Sequence, residues 1–134
     1  AARAAGRLSK AENVALRARG GRAAIDEARD LAPKLGIPPE AVPGTIARNT
    51  GRLIAAIAER ASLGTLVVFG GDTLLGAAKA LGATAIRPRK ELLPGVVLAR
   101  FESARAPFDL VTKAGGFGDR DAVLAMTREW EKLP

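Results

Sequence analysis

Two short glycine clusters are the main candidates for chemistry in this chain. The first is Gly70-Gly71-Asp72-Thr73, and the second is Lys113-Ala114-Gly115-Gly116-Phe117-Gly118. Each follows an apolar stretch typical of a buried strand and precedes a stretch that predicts a helix. The first N–H groups of a helix lack internal partners and lie at the positive end of its dipole. Because glycine lets an anion approach these groups, both clusters are candidates for phosphate contact.

The same clusters also fit simple chain reversals. Neither matches the G-x-x-x-x-G-K-[ST] phosphate loop or the G-x-G-x-x-G dinucleotide motif. Asp72 and Thr73 fit helix capping better than contact with a nucleotide's cation or ribose. Lys113 fits an ordinary solvated strand end better than phosphate neutralisation. The pattern alone leaves phosphate binding and simple turns about equally favoured.

The composition excludes several kinds of catalytic site. The 134 residues contain neither His nor Cys. A Ser-His-Asp triad, a Cys-His nucleophile and imidazole- or thiolate-bound zinc are therefore excluded. The remaining carboxylates, lysines, hydroxyls and backbone amides suit phosphoryl transfer, in which positioning and electrostatics carry most of the catalysis. No general base and no set of metal ligands can be assigned from the sequence.

The formal charge of +7 comes mostly from dispersed arginines. No aromatic residues are interleaved with them as a base-stacking surface would require, so we expect solvated charge rather than a nucleic-acid interface. No apolar run reaches the roughly 18 residues that a membrane span needs. The N-terminus has no hydrophobic middle like that of a secretory signal, and the absence of cysteine is compatible with the cytosol. We expect a cytoplasmic protein without membrane contact.

The elements that position the clusters indicate the α/β class. We expect a single domain with a small mixed β-sheet flanked by helices, and a helical N-terminal half. Residues 1–10 are predicted as an exposed connector, and residues 11–134 as the domain. Helices are predicted from Lys10 to about Ala18 with Ser9 as cap, from Arg22 to Leu35, and from a cap at Thr45 to about Ala61. In the third helix, Gly51 predicts close approach of a neighbouring element.

The second half predicts the strands and the remaining helices. Strands are expected at residues 65–69, 83–87, 96–101 and 108–113, with the last two antiparallel. Helices are expected at residues 74–81 and from a cap at Asp119 to about Glu131, with Val123, Leu124, Met126 and Trp130 as its apolar positions. We expect Trp130 to be a core or interdomain contact. If the first and last strands are parallel neighbours, both glycine clusters emerge at one edge of the sheet.

From Thr65 to about Trp130 the sequence resembles the C-terminal nucleotide-binding domain of the four-carbon acid sugar kinases. These bacterial enzymes phosphorylate threonate, erythronate and related acids with ATP. The resemblance is carried, in matching order, by the strand entering Gly70-Gly71-Asp72-Thr73, by Lys90-Glu91-Leu92-Leu93-Pro94-Gly95-Val96 and by the segment 110–119. It implies that Gly70, Gly71, Asp72 and Thr73 contact ATP. It also implies that Gly115, Gly116, Phe117 and Gly118 complete the pocket, with Mg²⁺ on the phosphates.

The resemblance also implies that the sugar acid binds largely in an N-terminal domain with no counterpart here. The family's upstream serine-containing glycine loop is not recognisable either. Because the chain begins at Ala1 and its single Met is Met126, we expect a piece of a longer protein that binds nucleotide weakly and does not turn over alone. The alternative is a stand-alone module that binds nucleotides or other anions without catalysis. The alanine-rich helices lead us to expect apolar surface against another domain or subunit, including a homodimer.

Overall fold

A computed structural model of the chain describes residues 1–17, 20–104, 107–115 and 121–132. Its helices are α1 (Ala2–Leu8), α2 (Arg22–Lys34), α3 (Val42–Ala58), α4 (Gly71–Ala80) and α5 (Ala122–Glu131), with a 3₁₀ turn at Pro39–Ala41. Its strands are β1 (Thr65–Phe69), β2 (Ala83–Leu93), β3 (Val96–Ser103) and β4 (Phe108–Lys113). The predicted class, a mixed sheet flanked by helices with a helical N-terminal half, is confirmed.

The sheet has the order β1-β4-β3-β2, in which β1 is parallel to β4 and the other neighbours are antiparallel. The predicted pairing of β3 with β4 is confirmed. Successive side chains of a strand point to opposite faces, and the two faces carry separate buried clusters. One includes Ile54, Val68, Ala77, Leu81, Ala99, Phe101, Phe108 and Leu110. The other includes Leu92, Val96, Leu98, Val111 and Met126. Helices α3 and α4 therefore cover one face and α5 the other.

Strand β2 is longer than predicted, because it continues through Pro88 to Leu93. Proline lacks the N–H that a central strand would donate, so it is tolerated only at edges and irregularities. β2 is an edge strand of this sheet, and its register with β3 shifts between Pro88 and Lys90. The prediction that the strand ends at Arg87 is therefore wrong.

Helices α3 and α4 pack with their backbones in contact at two glycines. A Cβ added to Gly51 would collide with the carbonyl of Gly76, and one added to Gly76 would collide with the carbonyl of Ala47. The predicted close approach at Gly51 is confirmed, with α4 as the neighbour. This contact fixes α4, and hence the first glycine cluster, over the sheet.

The N-terminal helices differ from the predictions. Residues 2–8 form α1, with Ala5 only 4% exposed, whereas the predicted helix from Lys10 is absent over the described residues up to Arg17. A short helix is stable in a protein mainly when one of its faces packs against another element. Helix α1 has such a partner in α3, whereas residues 12–17 form no helix. Helix α2 is confirmed. Helix α3 begins at Val42 with Pro43 in its first turn, so the predicted cap at Thr45 is wrong.

Helix α5 faces the sheet with Ala122, Met126 and Trp130, which are spaced four residues apart. Met126 is buried, and Trp130 packs against the same cluster, so its predicted core role is confirmed. Of the four apolar positions predicted for this helix, Val123 and Leu124 lie outside the packed face, with 50% and 61% of their surface exposed. Within the described ranges, the helices are too short or too polar to cross a membrane.

Candidate functional site

The two glycine clusters lie side by side at the carboxyl ends of β1 and β4. Phe69 and Lys113 are register partners in this parallel pair, and the next N–H along β1, that of Gly70, donates to the carbonyl oxygen of Lys113 at 3.0 Å. The backbone therefore leaves the sheet at the same level after β1 and after β4. The carboxyl edge of parallel strands is the usual ligand site of open α/β sheets.

The glycines at this edge have different structural requirements. Gly70 has a φ of +91°, where side chains are strained, so the backbone itself requires glycine. At Gly71, an added Cβ would have no described atom within 4 Å outside its own helix and its chain neighbours. At Gly115, an added Cβ would meet the Cα of Gly70 at 3.8 Å, an ordinary contact. The described structure thus leaves open space over Gly71, where a ligand needs to approach the backbone, and Gly115 lies against Gly70 beside it.

Asp72 and Thr73 lie in the first turn of α4 instead of capping it. The N-cap is Gly70, which has no side chain, and no side-chain cap hydrogen bond is formed. The predicted capping by Asp72 and Thr73 is therefore wrong, because the helix begins three residues earlier than a cap at Thr73 would allow. The Asp72 side chain is exposed at the positive end of the helix dipole. Its carboxylate is available to a cation or a ligand hydroxyl.

Lys113 is buried at the end of β4, with 9% of its surface exposed. Its Nζ donates to the carbonyl oxygen of Ala114 at 3.1 Å and lies 5.7 Å from the centroid of the Phe69 ring. The prediction of a solvated strand-end lysine is therefore wrong. A positive charge instead lies within the wall of the site, next to both loops.

The turn between β2 and β3 supports the second loop. Gly95 has a φ of +73°, its N–H donates to Oε1 of Glu91 at 3.0 Å, and its carbonyl oxygen accepts the Ala114 N–H at 3.1 Å. Glu91 therefore holds the turn against which Ala114 packs. All three segments that carried the family resemblance meet at this edge.

The sequence matches, over residues 1–123, the profile of a family described as the nucleotide-binding C-terminal domain. The chain belongs to this family. The match covers almost the whole length of the chain, including its helical first half. No curated protein shows significant similarity to the chain.

Solved structures support the same assignment. A Bordetella bronchiseptica protein with a domain of unknown function, DUF1537, was solved with bound citrate as a domain-swapped dimer in two crystal forms. One matches at 32% identity and a TM-score of 0.56, covering 62% of this chain and 21% of that one. The other matches at 24% identity and 0.59, covering 92% and 29%. DUF1537 proteins are the four-carbon acid sugar kinase family, so the resemblance is confirmed.

A third structure shows the same fold. A Salmonella typhimurium LT2 protein, described as a proposed tRNA synthase, matches at 22% identity with a TM-score of 0.65, covering 93% of this chain and 30% of that one. At this identity the match concerns the fold alone. The nucleotide-binding domain described here spans between 21% and 30% of the length of these proteins.

Part of the predicted site falls outside the described residues. Gly116, Phe117 and Gly118, and the predicted cap Asp119, all belong to the segment 116–120, so their roles stay predictions. Helix α5 begins at Ala122 with Asp121 as its N-cap. Two open hollows in the described surface are lined by residues outside the two glycine loops, one by Leu93 and residues of α5 and the other by residues of α2.

Two residues at the site were missed by sequence reasoning. Phe69 was taken only as the last apolar residue of a buried strand, yet it is 45% exposed. Its position next to Gly70 was a signal, because an aromatic residue at the carboxyl end of a strand borders the ligand edge. Gly95 contributes through its carbonyl oxygen, and no side-chain pattern indicates such a contact.

Proposed function

We propose that this nucleotide-binding domain binds ATP at the edge formed by its two glycine loops and serves as the phosphate-donor part of a four-carbon acid sugar kinase. The observation that carries the proposal is the bond from the Gly70 N–H to the Lys113 carbonyl, which holds the two loops together beside the open space over Gly71. The family match supports a nucleotide as the ligand.

The phosphates would lie at the N-terminus of α4. The N–H groups of the first turn lack helical partners, and among the described residues no side-chain cap bond is formed there. A bound phosphate would accept these hydrogen bonds and be stabilised by the helix dipole. Gly70, Gly71 and Thr73 would line this contact. Gly115 with Gly116, Phe117 and Gly118 would form the opposite wall, and Lys113 would contribute positive charge beside it.

Asp72 fits a magnesium ion better than a direct phosphate contact, because two anions at one helix end repel each other. Mg²⁺ is commonly held by one or two carboxylates together with substrate phosphates. The described residues contain no cluster of three or more carboxylates that would hold a metal by themselves. Asp72 would therefore share the ion with the phosphates of ATP, and the bound ion would neutralise phosphate charge.

The acceptor would be a hydroxyl of a four-carbon sugar acid such as threonate or erythronate. This part of the proposal rests on the DUF1537 relatives, of which the chain spans less than a third. The acid would bind largely in a separate N-terminal domain. Consequently the 134-residue chain would bind ATP weakly and would not phosphorylate the acid alone. We propose a cytoplasmic location, because the phosphate donor is supplied there.

A homodimer is also part of the proposal. Helix α2 exposes Ile25 and Leu31, and Leu35 directly after it is 62% exposed. The Bordetella bronchiseptica relative forms a domain-swapped dimer. Light scattering on a size-exclusion column would give twice the chain mass for a dimer, and the chain mass would contradict it.

Calorimetry and a kinase assay test the proposal together. Mg-ATP titrated into the chain is expected to give saturable binding, and a coupled assay with threonate is expected to show no turnover without the N-terminal domain. Absence of ATP binding would overturn the donor role. Robust threonate phosphorylation by this chain alone would show that the acceptor site is not elsewhere.

A further inference from the structure

Phe69 differs from the other phenylalanines in the described part of the chain. Phe101 and Phe108 are buried and stack on each other with ring centroids 4.6 Å apart. Phe69 instead ends β1 with 45% of its surface exposed. The next residue is Gly70, the N-cap of α4. A large apolar ring thus lies at the surface immediately beside the loop that would hold phosphate.

The ring of Phe69 is positioned by a buried cation. Lys113 is its register partner on β4, and the Lys113 Nζ lies 5.7 Å from the ring centroid. The same Nζ donates a hydrogen bond to the carbonyl oxygen of Ala114 at 3.1 Å. An ammonium group near an aromatic ring is attracted by the negative charge on the ring face. Lys113 therefore orients the ring while a large part of it stays exposed.

The two sides of the sheet edge offer different chemistry. Phe69 points to the α5 face, because Val67, two residues earlier in the strand, packs in the cluster that contains Met126. Helix α4 lies on the opposite face, and the N–H groups of its first turn lack partners within the helix and have no side-chain cap bond in the described part of the chain. A molecule lying across the edge would meet an aromatic ring on one side and an anion site on the other.

We propose that Phe69 is the platform on which the base of the bound nucleotide stacks, with Lys113 as a positioning residue that holds the ring. The inference rests on the proposed function and extends it, since it assigns the base side of the ligand. Stacking on an aromatic ring is sequence-tolerant, because every base has a π-face. ATP and GTP should therefore both use this contact.

The test compares ATP with tripolyphosphate, which has the phosphates but no base. Calorimetry on the 134-residue chain would measure both ligands with Mg²⁺ for wild type, Phe69→Ala, Phe69→Trp and Ile86→Ala. Ile86 is a matched control, because it is an exposed apolar residue of the same sheet in β2. Phe69→Ala should lower the affinity for ATP and GTP by roughly 10- to 100-fold. Tripolyphosphate affinity should not change, and Phe69→Trp should retain ATP binding.

Fluorescence gives a second readout that a purely structural role would not produce. In Phe69→Trp, stacking of adenine should quench the fluorescence of the new indole when ATP is added. Tripolyphosphate should not quench it. The wild-type chain, whose single tryptophan is Trp130, gives the background fluorescence. Equal losses for ATP and tripolyphosphate in Phe69→Ala, or unchanged ATP affinity, would overturn the platform. If wild type binds neither ligand, the proposed function fails and the base contact fails with it. If wild type binds both and only the Phe69 effects are absent, the base contact alone is wrong.

Discussion

The backbone N–H of Gly70 and the carbonyl oxygen of Lys113 are joined by a hydrogen bond of 3.0 Å. This bond continues the parallel pairing of β1 and β4 by one residue beyond Phe69. It makes the two glycine loops parts of one surface, although Gly70 and Lys113 are 43 positions apart in the chain. A ligand that contacts both loops therefore binds where two hydrogen-bonded strands end side by side.

Gly71 tests whether a ligand occupies the space above the first loop. We predict that Gly71→Val lowers ATP affinity at least about tenfold, because the side chain would fill the path to the backbone N–H groups. Its free energy of unfolding should stay within about 1 kcal/mol of wild type, because a Cβ there meets no described neighbour. Gly44→Val is the matched control, since Gly44 also lies in the open first turn of a helix. Equal ATP affinity in both variants would contradict the pocket.

The contact of Gly51 with Gly76 predicts a stability effect. Gly51→Ala should lower the free energy of unfolding by about 1–3 kcal/mol, because the new methyl group collides with backbone and forces α3 and α4 apart. Gly44→Ala, in the open first turn of α3, should instead be neutral or stabilise by up to about 1 kcal/mol. Urea denaturation monitored by circular dichroism measures both. Wild-type stability in Gly51→Ala would mean that the helices are not in backbone contact.

The features that could be predicted from the sequence are those that depend on the local pattern of residues. A strand running into Gly-Gly and then a helix is visible around Gly70, and helical spacing made Gly51 a candidate for close approach. What it could not predict depends on partners distant in the chain. The helix at residues 2–8 depends on the burial of Ala5 against other parts of the chain. Pro88 remains in a strand because β2 is at the edge of the sheet. The burial of Lys113 likewise depends on β1 lying beside β4.

Glu91 should act on stability more than on binding. In Glu91→Ala the Gly95 N–H loses its acceptor, and the free energy of unfolding should fall by about 0.5–1.5 kcal/mol. Glu91→Gln should retain most of the stability, because its amide oxygen can still accept the bond. Thermal denaturation of both variants provides the measurement. An Ala variant with unchanged stability but lost ATP affinity would instead identify Glu91 as a ligand contact.

An ion pair at the C-terminal end of α5 predicts that stability depends on pH. Lys132 donates to Oε1 of Glu129 at 2.6 Å, and this bond lowers the pKa of Glu129 from its ordinary value of 4.5. Because the folded pKa is below the unfolded one, the pair's contribution is present above the unfolded pKa and is lost as pH falls through the folded pKa. Lys132→Met should raise the Glu129 pKa in an NMR titration, and Lys90→Met should raise it less. A Glu129 pKa insensitive to Lys132→Met would rule out this pairing in solution.

Amide chemical shifts test the central claim most directly. Mg-ATP titrated into the ¹⁵N-labelled chain should shift the amide signals of Gly70, Gly71, Asp72, Thr73 and Gly115. The signals of α2, which packs against α3, should remain unchanged. Shifts confined to other surfaces, or none at millimolar ATP, would contradict binding of the nucleotide between the two glycine loops.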